Sequence, residues 1–175
     1  MCGVPQHAAE GYLLTLIRKG FRVAVCEQRE SPAEAKKRGS KSVVKRDVVR
    51  LVTPGTLTED TLLEARRHNF LAALACIRDT WALAWTDIST GTLHAMALSL
   101  VRVGPELARL APAEVLLADG QDGAVTEVLK DLGLTSTLLS AGSFDSTGAE
   151  SRLSAQFGVS SLDAYGQFTR AELSA

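Results

Sequence analysis

Cysteine is scarce, with Cys2, Cys26 and Cys76 alone. Three is an odd number, and no two are as close as C-x-x-C, so neither a disulfide framework nor a zinc knuckle is indicated. No apolar run approaches the roughly 18 residues that would span a bilayer, which excludes a helical membrane anchor. Met1 to Pro5 leads into the polar pair Gln6-His7, not into a charged start and a long apolar core. The secretory pattern is therefore missing, and the expected location is the cytoplasm. The phosphate loop G-x-x-x-x-G-K-[ST] is absent, so no nucleotide cofactor is expected in this chain. There is no internal repeat and no low-complexity stretch. What is present suits one ordinary domain or two small ones: 175 residues, 46% of them hydrophobic and 22% charged.

The net charge of −1 conceals a division. Residues 1–50 carry 11 Lys/Arg against 5 Asp/Glu, whereas residues 51–175 carry 8 against 15. A basic part beside an acidic part suggests a polyanionic partner for the first only.

Periodicity gives the elements. Ala8 to Lys19 reads as a helix stopped by Gly20, and Phe21 to Cys26 as a buried strand with a buried Cys26 thiol. Residues 29–38 read as a loop with a helical turn from Pro32, and Ser42 to Val52 as a strand that Thr53-Pro54-Gly55-Thr56 breaks. A short helix over Leu62 to Arg67 is expected behind a Thr58 cap with Glu59 and Asp60. The expected division is 1–52, a linker 53–67, and a second domain 68–175. In that domain Phe70 to Ile77, Ala82 to Ile88 and Thr92 to Leu98 form a meander, with turns at Arg78-Asp79 and Ser89-Thr90-Gly91. Helix Pro105 to Leu110, strand Glu114 to Ala118, helix Val125 to Leu132, strand Ser136 to Leu139 and helix Glu150 to Phe157 follow. The order β-β-β-α-β-α-β-α predicts an α/β fold with the element order of the ribonuclease H-like fold.

Lys36, Lys37, Arg38, Lys41, Lys45, Arg46 and Arg50 set seven cations against one anion, Asp47, within fifteen residues. Such a segment can meet several phosphates and release their counterions. It can equally be a solvated loop, and the residues alone leave both readings open. Strand alternation places Lys45, Asp47 and Val49 on one side, and Val44, Arg46, Val48 and Arg50 on the other. His7 is expected to cap or pack against the first helix. Trp81 and Trp85 share a strand face and are expected in the core. A ribonuclease H-like nuclease would need carboxylates on its first and fourth strands. The first strand here has none, Asp87 reads as a turn residue, and Glu114 and Asp119 stand alone. No Ser/His/Asp or Cys/His arrangement is recognisable.

Three stretches carry a resemblance: Gly3-Val4-Pro5-Gln6-His7-Ala8-Ala9-Glu10-Gly11-Tyr12-Leu13 with Val23-Ala24-Val25-Cys26-Glu27-Gln28; Val48-Val49-Arg50-Leu51-Val52-Thr53-Pro54-Gly55-Thr56; and Asn69-Phe70-Leu71-Ala72-Ala73 with Asp87-Ile88-Ser89-Thr90-Gly91. In order and spacing they resemble the MutS family of DNA mismatch-repair proteins. The resemblance implies the C-terminal part of a mismatch-binding domain (1–52) followed by a ribonuclease H-like connector domain (68–175), incomplete at its end. It implies DNA contact through Arg46, Lys45, Lys41, Arg38, Lys37 and Lys36. Arg46 matches an arginine of the family that touches DNA, and Arg50 is read as lying toward the domain junction. The family's Phe-x-Glu mismatch wedge would precede Met1, here read as an internal methionine. Its lever, clamp and ATPase regions would follow Ala175. ATP and magnesium are therefore expected only in the full-length family. Expected partners are mismatched double-stranded DNA, a second subunit of a homodimer, and MutL. The alternative function is a small metal-dependent nuclease of the ribonuclease H-like kind.

Overall fold

The computed structural model describes residues 3–59, 62–64, 67–121 and 123–175. The chain is mixed α/β and divides into two compact units, Met1–Pro54 and Gly55–Ala175.

In the first unit a 3-10 turn, Gln6–Ala8, leads into α1 (Ala9–Arg18), which ends at Gly20 with φ +80°. His7 is exposed on that turn, and no side-chain cap hydrogen bond is made at the start of the helix, so the capping half of the expectation fails. β1 (Val23–Gln28) pairs antiparallel with β2 (Arg46–Val52). Between them lies α2 (Pro32–Lys37), with Pro32 in its first turn. Ser31 accepts from the Glu34 N–H, and the Glu34 carboxylate accepts from the Ser31 N–H at 2.7 Å, a reciprocal cap. The expectation that Phe21 to Cys26 is a buried strand fails. Phe21 is exposed, the strand starts at Val23, and Cys26 is exposed. A two-stranded ribbon has two broad faces, and here one of them (Ala24, Cys26, Gln28, Arg46, Val48, Leu51) is open throughout.

The second unit is built on five strands: β3 (Phe70–Ile77), β4 (Thr80–Asp87), β5 (Thr92–Leu98), β6 (Glu114–Ala118) and β7 (Ser136–Leu139), ordered β5-β4-β3-β6-β7. The β3–β4 turn needs two left-handed residues to follow the sheet twist, and Arg78 and Asp79 supply them with φ of 50° and 65°. At the β4–β5 turn the Gly91 N–H donates to the Asp87 carbonyl at 2.9 Å. α3 (Leu100–Leu110) then crosses over so that β6 adds parallel to β3, and α4 (Gly123–Asp131) does the same for β7. This meander with two parallel additions is the ribonuclease H-like order expected above.

The two sheet faces differ in kind. One carries Ala72, Leu74, Trp81, Leu83, Leu98, Val115 and Leu117, and packs on Val103, Leu107 and Leu110 of α3 and Val125 and Leu129 of α4. Trp81 lies in this core, and Trp85 packs at its margin, stacked on His94 with ring centroids 5.2 Å apart. The other face is lined by Ala73, Ala75, Ala82 and Ala84, small enough for α6 (Arg170–Ser174) to sit directly on the strands. α5 (Ser146–Phe157) packs beside α6.

Several expectations about helices change, among them that α5 begins at Ser146, not Glu150. α3 begins at Leu100, not Pro105, because burying Val103 with Leu107 and Leu110 rewards another helical turn that carries Pro105 inside it. α6 was not foreseen. The helix expected at Leu62 to Arg67 is not formed by its described residues: Leu62 and Leu63 donate to the Glu59 carbonyl, making a turn. Asp60, Ala65 and Arg66, parts of that expectation, lie outside the described residues, as does Cys2.

Candidate nucleic-acid interface

The β1–β2 ribbon carries the basic segment at its open end. The ladder closes with Gln28 opposite Arg46, and one step further the Arg29 N–H donates to the Lys45 carbonyl at 3.0 Å. Residues 31–44 form the loop beyond. Lys36 and Lys37 occupy the last turn of α2, where cations complement the negative end of the helix. Arg38 is the C-cap residue of α2, Lys41 follows Gly39, and Lys45 and Arg46 stand where the chain re-enters β2. All six are exposed.

Their partners divide them. Lys36, Lys37 and Lys41 make no side-chain hydrogen bond or ion pair with the described residues. Among the described residues, the Arg46 guanidinium donates only to the Val44 carbonyl, at 3.2 Å. Arg38, in contrast, is ion-paired to Glu30 and donates to the Val43 carbonyl at 3.2 Å. Glu30 also accepts the Lys45 N–H at 2.7 Å. That backbone donor, with the Arg38 hydrogen bond and charge, outweighs the effect of burial and holds the Glu30 carboxyl below its ordinary value. Asp47, the one anion of the segment, is paired to Arg29 at 3.1 Å, which also offsets the like charge of Glu27 directly opposite.

Strand parity needs a correction. Val25 pairs with Arg50 and Cys26 with Val48, so Val49 is an extra residue, a β-bulge. Val25 and Cys26 are successive and point to opposite faces. Arg50 therefore lies on the face opposite Arg46 and Val48, not on the same one. On that face Val23, Val25 and Arg50 are half-buried and Val52 is buried, and Arg46 belongs to the open one.

The carboxylates of the second unit are arranged differently. Asp87 is buried. It accepts from the Ser89 hydroxyl at 2.6 Å and N–H at 3.1 Å, and bonds His68 Nδ1 at 3.1 Å. Burial raises its carboxyl, and these hydrogen bonds with the Asn69 N–H more than reverse it, leaving it below its ordinary value. Glu114 is buried too, accepting from Thr137 Oγ1 at 2.6 Å and the Gly55 N–H at 3.1 Å. Asp119 borders a cavity of about 550 Å³ at the carboxyl ends of β3 and β6, with Asp79, Cys76 and Gln121. Among the described residues, no three His, Cys, Asp or Glu side chains are grouped so as to hold a metal ion.

Residues 1–61 match the family model described as MutS domain I, and residues 69–175 match MutS domain II. The chain belongs to the MutS family. It is 66% identical over 175 residues to the DNA mismatch repair protein MutS of Roseobacter denitrificans. Identity is 68% over 175 residues to that of Cereibacter sphaeroides (strain ATCC 17023) and 68% over 176 residues to that of a Ruegeria species. Each alignment takes in 100% of this chain and 20% of the relative, so the chain spans a fifth of the length of the curated relatives that it matches. Among the described residues no helix is long and apolar enough to cross a membrane. The residue that sequence reasoning missed is Glu30. Its one signal was an acid placed between Arg29 and the Ser31 cap, ahead of the cations that begin at Lys36.

Proposed function

We propose that this chain serves DNA mismatch repair as part of a MutS-type mismatch sensor, and that its basic unit grips the backbone of double-stranded DNA. The observation that carries the reading is the open end of the β1–β2 ribbon, where Lys36, Lys37, Lys41, Lys45 and Arg46 stand exposed together in a MutS-family chain. Contacts of this kind bind any duplex, as a scanner must, because they carry no sequence information. The second unit is the connector, relaying between the DNA-binding part and the rest of the sensor and meeting MutL. The partners are mismatched duplex DNA, a second MutS subunit and MutL, in the cytoplasm. ATP and magnesium serve the full-length family, and this chain itself is not an enzyme. The mismatch wedge is a Phe-x-Glu motif, which occurs nowhere in the sequence. A nuclease reading has no support: Asp87 and Glu114 are consumed by structural hydrogen bonds.

The test is duplex binding by the whole chain as a function of salt. Three to five phosphate contacts, a rough figure, predict a log–log slope of about 0.9 for each. Affinity then falls on the order of a hundredfold between about 50 and 200 mM salt. Arg46→Ala reduces the slope by about one unit on every duplex. Arg102→Ala, whose guanidinium is paired to Glu106 in α3, changes nothing. A G·T duplex and its homoduplex bind equally, and a tenfold preference, about 1.4 kcal/mol, refutes pure backbone contact. Salt-independent binding, or an inert Arg46, refutes the interface.

A further inference from the structure

We propose that Glu30 is a positioning residue for DNA binding: its carboxylate latches the base of loop 31–44, presenting Lys36, Lys37 and Lys41 as a fixed array and withholding Arg38 from phosphate. This rests on the reading that the basic segment holds DNA.

The geometry is a closure at three points. Where the β1–β2 ladder runs out, the Lys45 N–H has no strand partner and donates instead to Glu30 Oε1 at 2.7 Å. The same oxygen is ion-paired to Arg38 at the end of α2. Arg38 reaches on to the Val43 carbonyl of the returning chain at 3.2 Å. Chain position 30, the helix end and residues 43–45 are thereby tied through one carboxylate. Smaller closures act inside the loop: the Ser31–Glu34 cap, the Gly39 N–H on the Lys36 carbonyl and the Ser42 N–H on the Gly39 carbonyl. The Glu30 side chain is 14% exposed, that of Arg38 43% and that of Asp47 64%, so the latch is the sheltered pair of the segment. A loop without it would lose its conformational freedom on meeting DNA, and affinity would fall by that amount.

Charge alone predicts the opposite sign. Glu30 is an anion among cations, and removing it would reduce repulsion toward a polyanion and release Arg38. Glu30→Gln and Glu30→Ala have the same net charge but differ as acceptors, so together they separate the two accounts. The experiment uses the whole chain and a short homoduplex, with binding read by fluorescence anisotropy across a salt series. Circular dichroism verifies folding, and hydrogen exchange follows the Lys45 amide. Expected is a loss of about tenfold for Glu30→Ala, the scale of one hydrogen bond to a charged group. A smaller loss is expected for Glu30→Gln, with faster Lys45 exchange in Glu30→Ala. Lys37→Ala lowers the salt slope by about 0.9, and Arg38→Ala leaves it unchanged. The proposal falls if both Glu30 variants bind as tightly as the parent or tighter, if Arg38→Ala lowers the slope, or if Lys45 exchange does not change. If the parent chain binds no duplex, the DNA reading falls, and with it Glu30 as a DNA-positioning residue. The Lys45 exchange then still decides whether the latch exists.

Discussion

Replacing Gly55 by Ala tests why the turn after β2 is Thr-Pro-Gly-Thr. Gly55 is buried, and its conformation is open to any residue; what it lacks is room. A Cβ there would lie 2.7 Å from Leu71 Cδ1, 3.0 Å from Glu114 Cβ and 3.1 Å from Glu114 Oε2. Leu71 can turn its side chain away, but Glu114 cannot, because Thr137 and the Gly55 N–H hold both its oxygens. Overpacking of this size costs about 1–3 kcal/mol. Displacing the carboxylate from one of two donors in a buried site costs about 1–3 kcal/mol more. The two overlap, so the expected loss is about 2–4 kcal/mol, or a fall of roughly 10 °C in the melting temperature of the second unit. Both tryptophans, Trp81 and Trp85, lie in that unit, so urea unfolding followed by their fluorescence reports it directly. Gly123→Ala is the control, since a Cβ there meets nothing within 4 Å. A Gly55→Ala chain as stable as the parent would refute the reasoning, because it would mean that Glu114 is free to move.

Two further outcomes follow from the second unit. Leu107→Ala removes a fully buried side chain between α3 and the sheet and is expected to destabilise by about 2–5 kcal/mol in the same urea assay. Asp87 has a folded-state carboxyl below its ordinary value, so its contribution is full above the unfolded carboxylate range and disappears as pH falls through the folded value. The stability gap between the parent and Asp87→Asn should therefore narrow as pH falls below the ordinary carboxylate range, and a gap that stays constant sinks the assignment of Asp87 as an ionised turn anchor.

The sheet of the second unit was legible because its signals are local and agree. An apolar run over Phe70 to Ile77, alternation over Thr92 to Leu98, an Arg78-Asp79 turn and a Ser89-Thr90-Gly91 turn fix the meander, and short apolar runs between helical stretches fix the parallel additions. What was not legible depended on contacts between distant residues. Pro105 looked like a first-turn residue, yet α3 starts five residues before it because Val103 has a core to enter. α6 carries a readable cap, with Thr169 and Glu172 exchanging hydrogen bonds, but has no apolar stripe of its own to announce a helix. It exists because an alanine-lined sheet face accepts it, and Glu172 then also holds the Ala97 N–H on the edge strand at 3.0 Å. Cys26 was misread because an apolar, β-branched run says that a strand forms, not that both of its faces are covered.

At the basic segment, composition identified the cations but could not sort them. Alternation counted from sequence put Arg46 and Arg50 on one face. The bulge at Val49 separates them, and bulges leave no mark in a run such as Val48-Val49-Arg50. Arg50 then turns inward, while Arg46 keeps an exposed guanidinium on the open face. A second sorting comes from Glu30, fifteen residues before Lys45 in the chain but hydrogen-bonded to it. Arg38 carries the same charge as its neighbours and is chemically the best phosphate fork among residues 36–41, yet it is already paired. Counting charges overstates the phosphate contacts that this loop can make, whereas counting unpaired charges lowers the estimate by one. The salt slope of Arg38→Ala is the number that tells the two counts apart.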